Sequence, residues 1–290
     1  MNIRVKEPCS LIRLMEKEFG SASKTTLKNM LKHGQIRING KVITDGEHNV
    51  KPDDTVEYVK THKPDARNPY PVVFEDEHIL VTEKPAGILT IGYHKGQGES
   101  SFYKDWLEFV RERSKGNERL YIVHRLDKEV SGLLVLAKTE EVQKSLKDNW
   151  HMNEKLYYAF VEGRPPKAMG KVSSYLSEGF KEMMVSSQDA SKGKLAVTQY
   201  RIMKEYPEHT LLEVKLETGR KNQIRVHMAE IGCPIVGDKR YGAKDKYSRR
   251  IRLHAFHLAF NHPVTGLKRE FTSRIPRGFT TLREEHEKYK

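Results

Sequence analysis

The sequence predicts an α+β protein in two unequal parts, a small N-terminal module and a larger domain built on a mixed, largely antiparallel sheet with flanking helices. Three observations carry this reading. A chain of 290 residues that is 37% hydrophobic can bury a substantial core and has length to spare for a second, smaller one. Turn signals such as Asn39-Gly40 and the stretch from Asn261 to Gly266 join adjacent apolar runs, without the regular strand–helix alternation of a doubly wound parallel sheet. Between the parts, Lys60 to Pro71 is polar and contains Pro64, Pro69 and Pro71, so the domains are placed at residues 1–62 and 72–290 with a linker over 63–71.

In the N-terminal module, Leu11, Leu14, Met15 and Phe19 share a helical face that Gly20 and Ser21 end. Leu27, Met30 and Leu31 then form a second apolar face, stopped by Gly34. Lys24, Lys28 and Lys32 recur every four residues on the opposite side. By spacing alone this row reads as a solvated face. Ile36 to Ile43 encloses the Asn39-Gly40 turn, and Val56 to Val59 is a further strand. A basic helix, a Gly and a strand carrying Ile38-Asn-Gly-Lys41 resemble the S4 RNA-binding domain over about fifty residues. That resemblance turns Lys24, Lys28 and Lys32 into expected phosphate contacts.

A net charge of +13 and a sequence pI of about 9.5 point to a polyanionic partner. No run of about 18 apolar residues is present to span a bilayer, and the N-terminus lacks an apolar signal core, so a cytoplasmic protein without a membrane partner is expected. Cys9 and Cys233 stand far apart and outside any Cys-x-x-Cys pattern, which indicates neither a disulfide framework nor a zinc site. The 13 histidines form no His-Glu-x-x-His, and no metal is expected.

The larger domain opens with two short strands around an acidic turn, Val72 to Lys84, and a helix around Trp106 to Val110 whose apolar face suits a core role. Tyr121 to Val123 and Leu133 to Ala137 read as buried strands, and the loop between them carries His124, Arg125, Asp127 and Ser131. On strand-loop-strand chemistry alone Asp127 is a turn cap and Arg125 a solvated charge. Glu140 to Trp150 is helical in composition, and Lys155 to Gly163 is an aromatic-rich strand. Residues 172–200 alternate too weakly to place. Strands at Val197 to Met203 and Thr210 to Glu217 precede a short helix with Ile224, Met228 and Ile231 as its buried stripe, which sets Arg225 near the surface. Lys239 to Arg252 is rich in Lys and Arg, and Leu253 to Phe260 with Leu267 to Phe271 forms a closing hairpin.

Four segments in order carry a family resemblance: Lys84-Pro-Ala-Gly87; His124-Arg-Leu-Asp-Lys-Glu-Val-Ser-Gly132; Lys155-Leu-Tyr-Tyr-Ala-Phe-Val-Glu-Gly163; and Thr218-Gly-Arg-Lys-Asn-Gln-Ile-Arg-Val-His227, continued by Gly232-Cys-Pro-Ile-Val-Gly-Asp238. They resemble the RluA-type RNA pseudouridine synthases. Val130 stands where that pattern has Thr, and Lys221-Asn222 where it has Thr-His. The resemblance implies a pseudouridine-synthase catalytic domain behind an S4-like module, acting on RNA without a cofactor, with ribosomal RNA favoured over transfer RNA; a monomer is expected.

Carried onto matching positions, the resemblance makes Asp127 the catalytic carboxylate, with Arg225 pairing to keep it ionised and Tyr157 stacking on the uracil and helping to move the C5 proton. Arg125 would enter the RNA stack vacated by a flipped uridine, and His124 would support the loop at the RNA surface. Arg220, Arg249 and Arg250 join the expected RNA contacts. A non-catalytic RNA-binding or ribosome-assembly protein is the alternative, and only Val130 and Lys221-Asn222 favour it.

Overall fold

The computed structural model describes residues 2–20, 22–32, 35–58, 68–92, 100–245, 248 and 250–281. In the N-terminal module the elements are β1 (Asn2–Arg4), β2 (Cys9–Ser10), α1 (Leu11–Glu18), α2 (Lys24–Lys32), β3 (Ile36–Ile38), β4 (Lys41–Val42), β5 (Asn49–Val50) and β6 (Thr55–Tyr58). Four strands pair antiparallel in the order β1-β6-β3-β4, and β2 pairs β5. Both helices lay their apolar faces on this sheet, burying Leu11, Leu14, Met15, Leu27 and Leu31 with Ile36, Ile38 and Val56. Asn39 and Gly40 turn β3 into β4 with φ of 49° and 82°, the left-handed pair that a two-residue hairpin requires. Gly34 and residues 63–67 of the expected linker lie outside the described residues.

The larger unit contains β7 (Val72–Glu75), β8 (Ile79–Lys84), α3 (Phe102–Arg113), β9 (Tyr121–Ile122), β10 (Ser131–Ala137), α4 (Glu140–Asp148), β11 (Glu154–Glu162), β12 (Met169–Glu178), β13 (Met184–Ser187), β14 (Lys194–Glu205), β15 (His209–Leu216), α5 (Gln223–Glu230), β16 (Leu253–Asn261) and β17 (Lys268–Thr272). Its sheet runs β13-β12-β14-β15-β11-β16-β10-β8-β7, with β17 beside β16 and β9 beside β10. All pairings among the described strands are antiparallel except β10 with β16, so the sheet is mixed and largely antiparallel. Residues 172–200, too weakly patterned to place by sequence, contribute to β12, β13 and β14. Their alternation is blurred because the outer strands leave Met169, Val185 and Leu195 exposed.

Helices cover the sheet on both faces. Trp106 and Val110 of α3 and Ile224 and Met228 of α5 pack with Leu134 and Leu136, while Val142 and Leu146 of α4 pack on the opposite face with Leu133, Val135 and Ala137. This explains why β10 is an unbroken apolar run. Ser101 and Thr139 cap α3 and α4 by accepting from the amides of Lys104 and Val142.

Gly132, at φ +127°, lies against β16 so closely that a Cβ there would stand 2.2 Å from the Ala255 carbonyl oxygen. Only glycine allows the parallel pairing of β10 with β16 at Ser131–His254 and Gly132–Ala255.

The module docks on the β16–β17 hairpin. A Cβ on Gly40 would stand 2.7 Å from the Lys268 carbonyl oxygen. Arg269 of β17 pairs with Glu57 of β6, both buried, and the Arg37 guanidinium lies 4.8 Å from the Phe74 ring centroid. Burial first, then Arg269, pushes the Arg37 guanidinium down to about 10.

Candidate active site and RNA interface

The β9–β10 loop that carries Asp127 is held from beneath. Thr90 Oγ1 donates to the Leu126 carbonyl at 2.6 Å and accepts from the Leu126 amide at 3.2 Å. Lys84, fully buried, donates to the carbonyls of Pro85 (2.9 Å), Ile88 (2.8 Å) and Lys128 (3.2 Å), stapling Lys84-Pro-Ala-Gly87 to the loop. Burial pushes its ammonium down to about 8. The Gly87 amide adds a bond to the Lys128 carbonyl, and the Val130 amide donates to the Asp127 carbonyl to close the turn. Leu126 and Val130 point into the core and Asp127 points away from it. At position 130 the side chain is 3% exposed, so Val meets apolar neighbours there. Ser131 is the first residue of β10 rather than part of the loop, and its hydroxyl bonds His254.

Asp127 opens into a cleft of about 1600 Å³ that Arg125, Tyr157, Arg220, Arg225, Arg240 and Arg250 help to line. Drug-sized pockets span roughly 300–1000 Å³, so this cleft has room for more than one nucleotide. No group of three or more His, Cys, Asp or Glu among the described residues is placed to hold a metal ion.

Arg225 was expected near the surface, and it is buried, its side chain 7% exposed. Gln223 to Met228 of α5 are all buried, so the helix meets protein on every side over this stretch and offers Arg225 no solvent face. Asp238 holds the guanidinium with two hydrogen bonds, Nε to Oδ2 at 2.7 Å and Nη2 to Oδ1 at 2.9 Å. The remaining Nη1 donates to Asn222 Oδ1 at 3.2 Å and reaches Asp127 Oδ2 at 3.6 Å and Glu129 at 3.9 Å. Asn222 sits at φ +53° before α5, a conformation Asn tolerates well, and its Nδ2 donates to the Tyr241 hydroxyl. Arg225 stacks over the Tyr241 ring at 5.0 Å. Gln223 ties the preceding loop down, accepting from Thr218 Oγ1 and the Arg220 amide and donating to Val197 and Thr198.

The Asp127 side chain remains 32% exposed. Burial raises its carboxyl above the ordinary aspartate value, Arg225 opposes the shift, and the Glu129 charge adds to it. Arg225 moderates the rise and does not overturn it. Tyr157, on β11 where the register with β16 shifts, also lines the cleft. Burial and then the Asp127 charge push its phenol upward, so it stays neutral. Tyr158, on the opposite face, stacks on Phe256.

Of the expected RNA contacts, Arg125 and Arg220 are exposed in the cleft and Arg250 is half-buried there. Arg220 Nε donates to the Leu195 carbonyl. His124 stacks on Trp150 at 4.2 Å and accepts from the Val135 amide at 3.2 Å, which makes it a brace for the loop rather than an open RNA contact. Burial, with Lys155 nearby, holds its imidazole down at about 3. Lys24 and Lys28 are exposed on α2 and do not line the cleft. The Lys32 side chain and Arg249 lie outside the described residues.

Sequence reasoning missed the roles of Asp238, Gln223 and Thr90. Asp238 follows Gly237, whose φ of +80° and close approach to the Arg250 carbonyl mark a tight turn, and its place at the end of the Gly232 to Asp238 motif was the signal that could have found it. Thr90 offered none.

Comparison with known proteins agrees with this geometry. Residues 78–230 match the RNA pseudouridylate synthase family and residues 15–56 match the S4 domain. Similar proteins include the ribosomal large subunit pseudouridine synthase D of Zymomonas mobilis, 33% identical over 90% of this chain and 88% of that one. Its namesake from Vibrio cholerae is 34% identical over 89% and 85%. The solved human RNA pseudouridylate synthase domain containing 4 superposes with a TM-score of 0.62 at 24% identity, over 75% of this chain and 93% of that one, and so shares the fold. With its S4 domain, its mixed sheet and a cleft built around Asp127, this chain belongs to the RNA pseudouridylate synthase family, as an RluA-type RNA pseudouridine synthase.

Proposed function

We propose that the protein isomerises uridines of large-subunit ribosomal RNA to pseudouridine, with Asp127 acting on the ribose. One observation carries the assignment of residues: a half-buried carboxylate on a braced loop, 3.6 Å from an arginine that Asp238 holds in place. The similar proteins from Zymomonas mobilis and Vibrio cholerae are named for ribosomal large subunit modification, which supports the choice of RNA. The N-terminal S4 domain supports a structured RNA substrate.

The reaction exchanges the C1′–N1 bond for a C1′–C5 bond within one nucleotide; C5 then loses its hydrogen as a proton and N1 takes one up, so product and substrate are isomers. It is redox-neutral and calls for no cofactor. Asp127, ionised, attacks the electron-poor sugar or takes its C2′ proton, as carboxylates do at glycosidic centres. Tyr157 offers a flat face for the detached uracil and a neutral hydroxyl that donates. Arg125, exposed two residues before Asp127, fills the stack left by the flipped nucleotide. Exposed Lys24 and Lys28 hold phosphates away from the cleft. The departures from the family pattern leave this machinery whole, since Val130 packs in the core and Asn222 bonds Arg225. We place the enzyme in the cytoplasm, acting as a monomer.

Tritium release from ribosomal RNA labelled at uracil C5 tests the function. The wild-type chain should release tritium and Asp127→Asn should not. Release from transfer RNA alone would overturn the choice of substrate, and release by Asp127→Asn would overturn the role of Asp127.

A further inference from the structure

The hairpin between β12 and β13 ends in a largely exposed aromatic side chain. Phe180 is 83% exposed, more than any other large apolar residue among those described. An isolated surface phenylalanine needs no explanation, but this one stands on a constructed tip. Lys181 and Glu182 are consecutive non-glycine residues at φ of 53° and 58°, a sparsely populated conformation that persists only where surroundings impose it.

Those surroundings are visible. The Gly179 amide donates to the Met183 carbonyl and the Met183 amide to the Phe180 carbonyl, closing the loop. Arg240 Nη2 donates to the Lys181 carbonyl at 2.5 Å, and Lys221 pairs with Glu178 at 2.8 Å and Glu182 at 3.8 Å. The Met184 amide donates to the Tyr241 hydroxyl, which also accepts from Asn222 and whose ring lies under Arg225. The tip is therefore bolted to the residues that position the catalytic arginine. Glu182, Lys221 and Arg240 line the cleft, so Phe180 stands at its rim.

We infer that Phe180 is a stacking platform for an unpaired base of the RNA next to the uridine in the cleft. This inference rests on the RNA-modifying reading above. A flat apolar ring suits a base, and the ammonium of Lys181, 5.3 Å from the ring centroid, with the Arg240 guanidinium bonded to the Lys181 carbonyl, suits the phosphates that accompany it. Extruding the target uridine disrupts the stack around it; Arg125 fills the vacated position, and the Phe180 ring at the cleft rim takes a further base that the disruption leaves unpaired.

The test uses the full-length chain and total cellular RNA labelled with tritium at uracil C5, taken from cells lacking the protein, so that no particular RNA is presupposed. Phe180→Ala should raise the apparent KM for tritium release about ten-fold, with the loss carried by KM rather than kcat. Phe180→Leu should behave as Phe180→Ala, because it keeps apolar area without a π face, and Phe180→Trp should restore the wild-type KM. Wild-type values in Phe180→Ala, or full activity in Phe180→Leu, would overturn the stacking role while leaving the enzyme assignment standing. Absence of tritium release by the wild-type chain itself would overturn the enzyme assignment and this inference with it.

Discussion

Arg225 reaches within 3.6 Å of Asp127, yet its shortest hydrogen bonds run to Asp238. The arrangement gives Asp127 a nearby positive charge without locking its oxygens into a bidentate pair. The reaction proposed for this carboxylate needs both conditions, ionisation and freedom. The guanidinium is fixed from behind by Asp238, from the side by Asn222 and over its face by Tyr241.

Replacing Asp127 with Asn should lower the rate of tritium release by at least about a thousand-fold, the scale on which removing a reacting group acts. RNA affinity in a filter-binding assay should stay within a few-fold.

The same substitution should raise the melting temperature at neutral pH. With its pKa raised in the folded state, the Asp127 carboxyl favours folding below its ordinary value of 3.8, and that contribution is lost as pH rises through the higher folded value. At neutral pH the buried charge is a net cost that Asn removes, a stability sacrificed to activity. Calorimetry of the two proteins at neutral and acid pH should show the difference shrinking as pH falls.

Activity should be lost on acidification at a higher pH than an exposed aspartate would give, because the form that reacts in the proposed mechanism is the carboxylate. Arg225→Met removes the strongest influence holding that pKa down and should move the acid limb of the single-turnover profile further upward.

Asp238→Asn breaks the fork that aims Arg225. A buried charge that loses its partner costs about 3–5 kcal/mol, so chemical denaturation should register the loss together with a fall in kcat. An unchanged kcat would show that Arg225 does not depend on Asp238 for its position.

Gly132→Ala should be among the most damaging single changes outside the cleft. A methyl 2.2 Å from the Ala255 carbonyl oxygen, at φ +127°, forces β10 off β16. A cost of about 4 kcal/mol or more is expected, visible as a melting temperature lower by roughly 10 °C.

Much of this protein could be read from its residues in order. Runs such as Leu133 to Ala137, the Asn39-Gly40 turn and the 3.6-residue spacing of Leu11, Leu14 and Met15 specify local structure through φ/ψ preference and burial. Those physical rules act over a few residues, so the elements and their types followed, as did the candidate Asp127 on its strand-bounded loop. Residues 172–200 resisted because strands at this end of the sheet leave apolar side chains such as Val185 and Leu195 exposed, which blurs the alternation.

What chain order leaves open is convergence. Asp238 and Arg225 are 13 residues apart and Asp127 is nearly a hundred residues earlier, and only the sheet, in which β10 and β11 both pair with β16, brings them to one cleft. Whether an arginine is surface or core, whether a histidine is a ligand or a brace, and whether Thr90 matters at all depend on neighbours supplied by distant strands. Burial and electrostatic shift are properties of that packed environment. The residues in order therefore presented Asp127 as a candidate on a strand-bounded loop, its family resemblance proposed it as the reacting carboxylate, and the tertiary structure decided what holds, charges and exposes it.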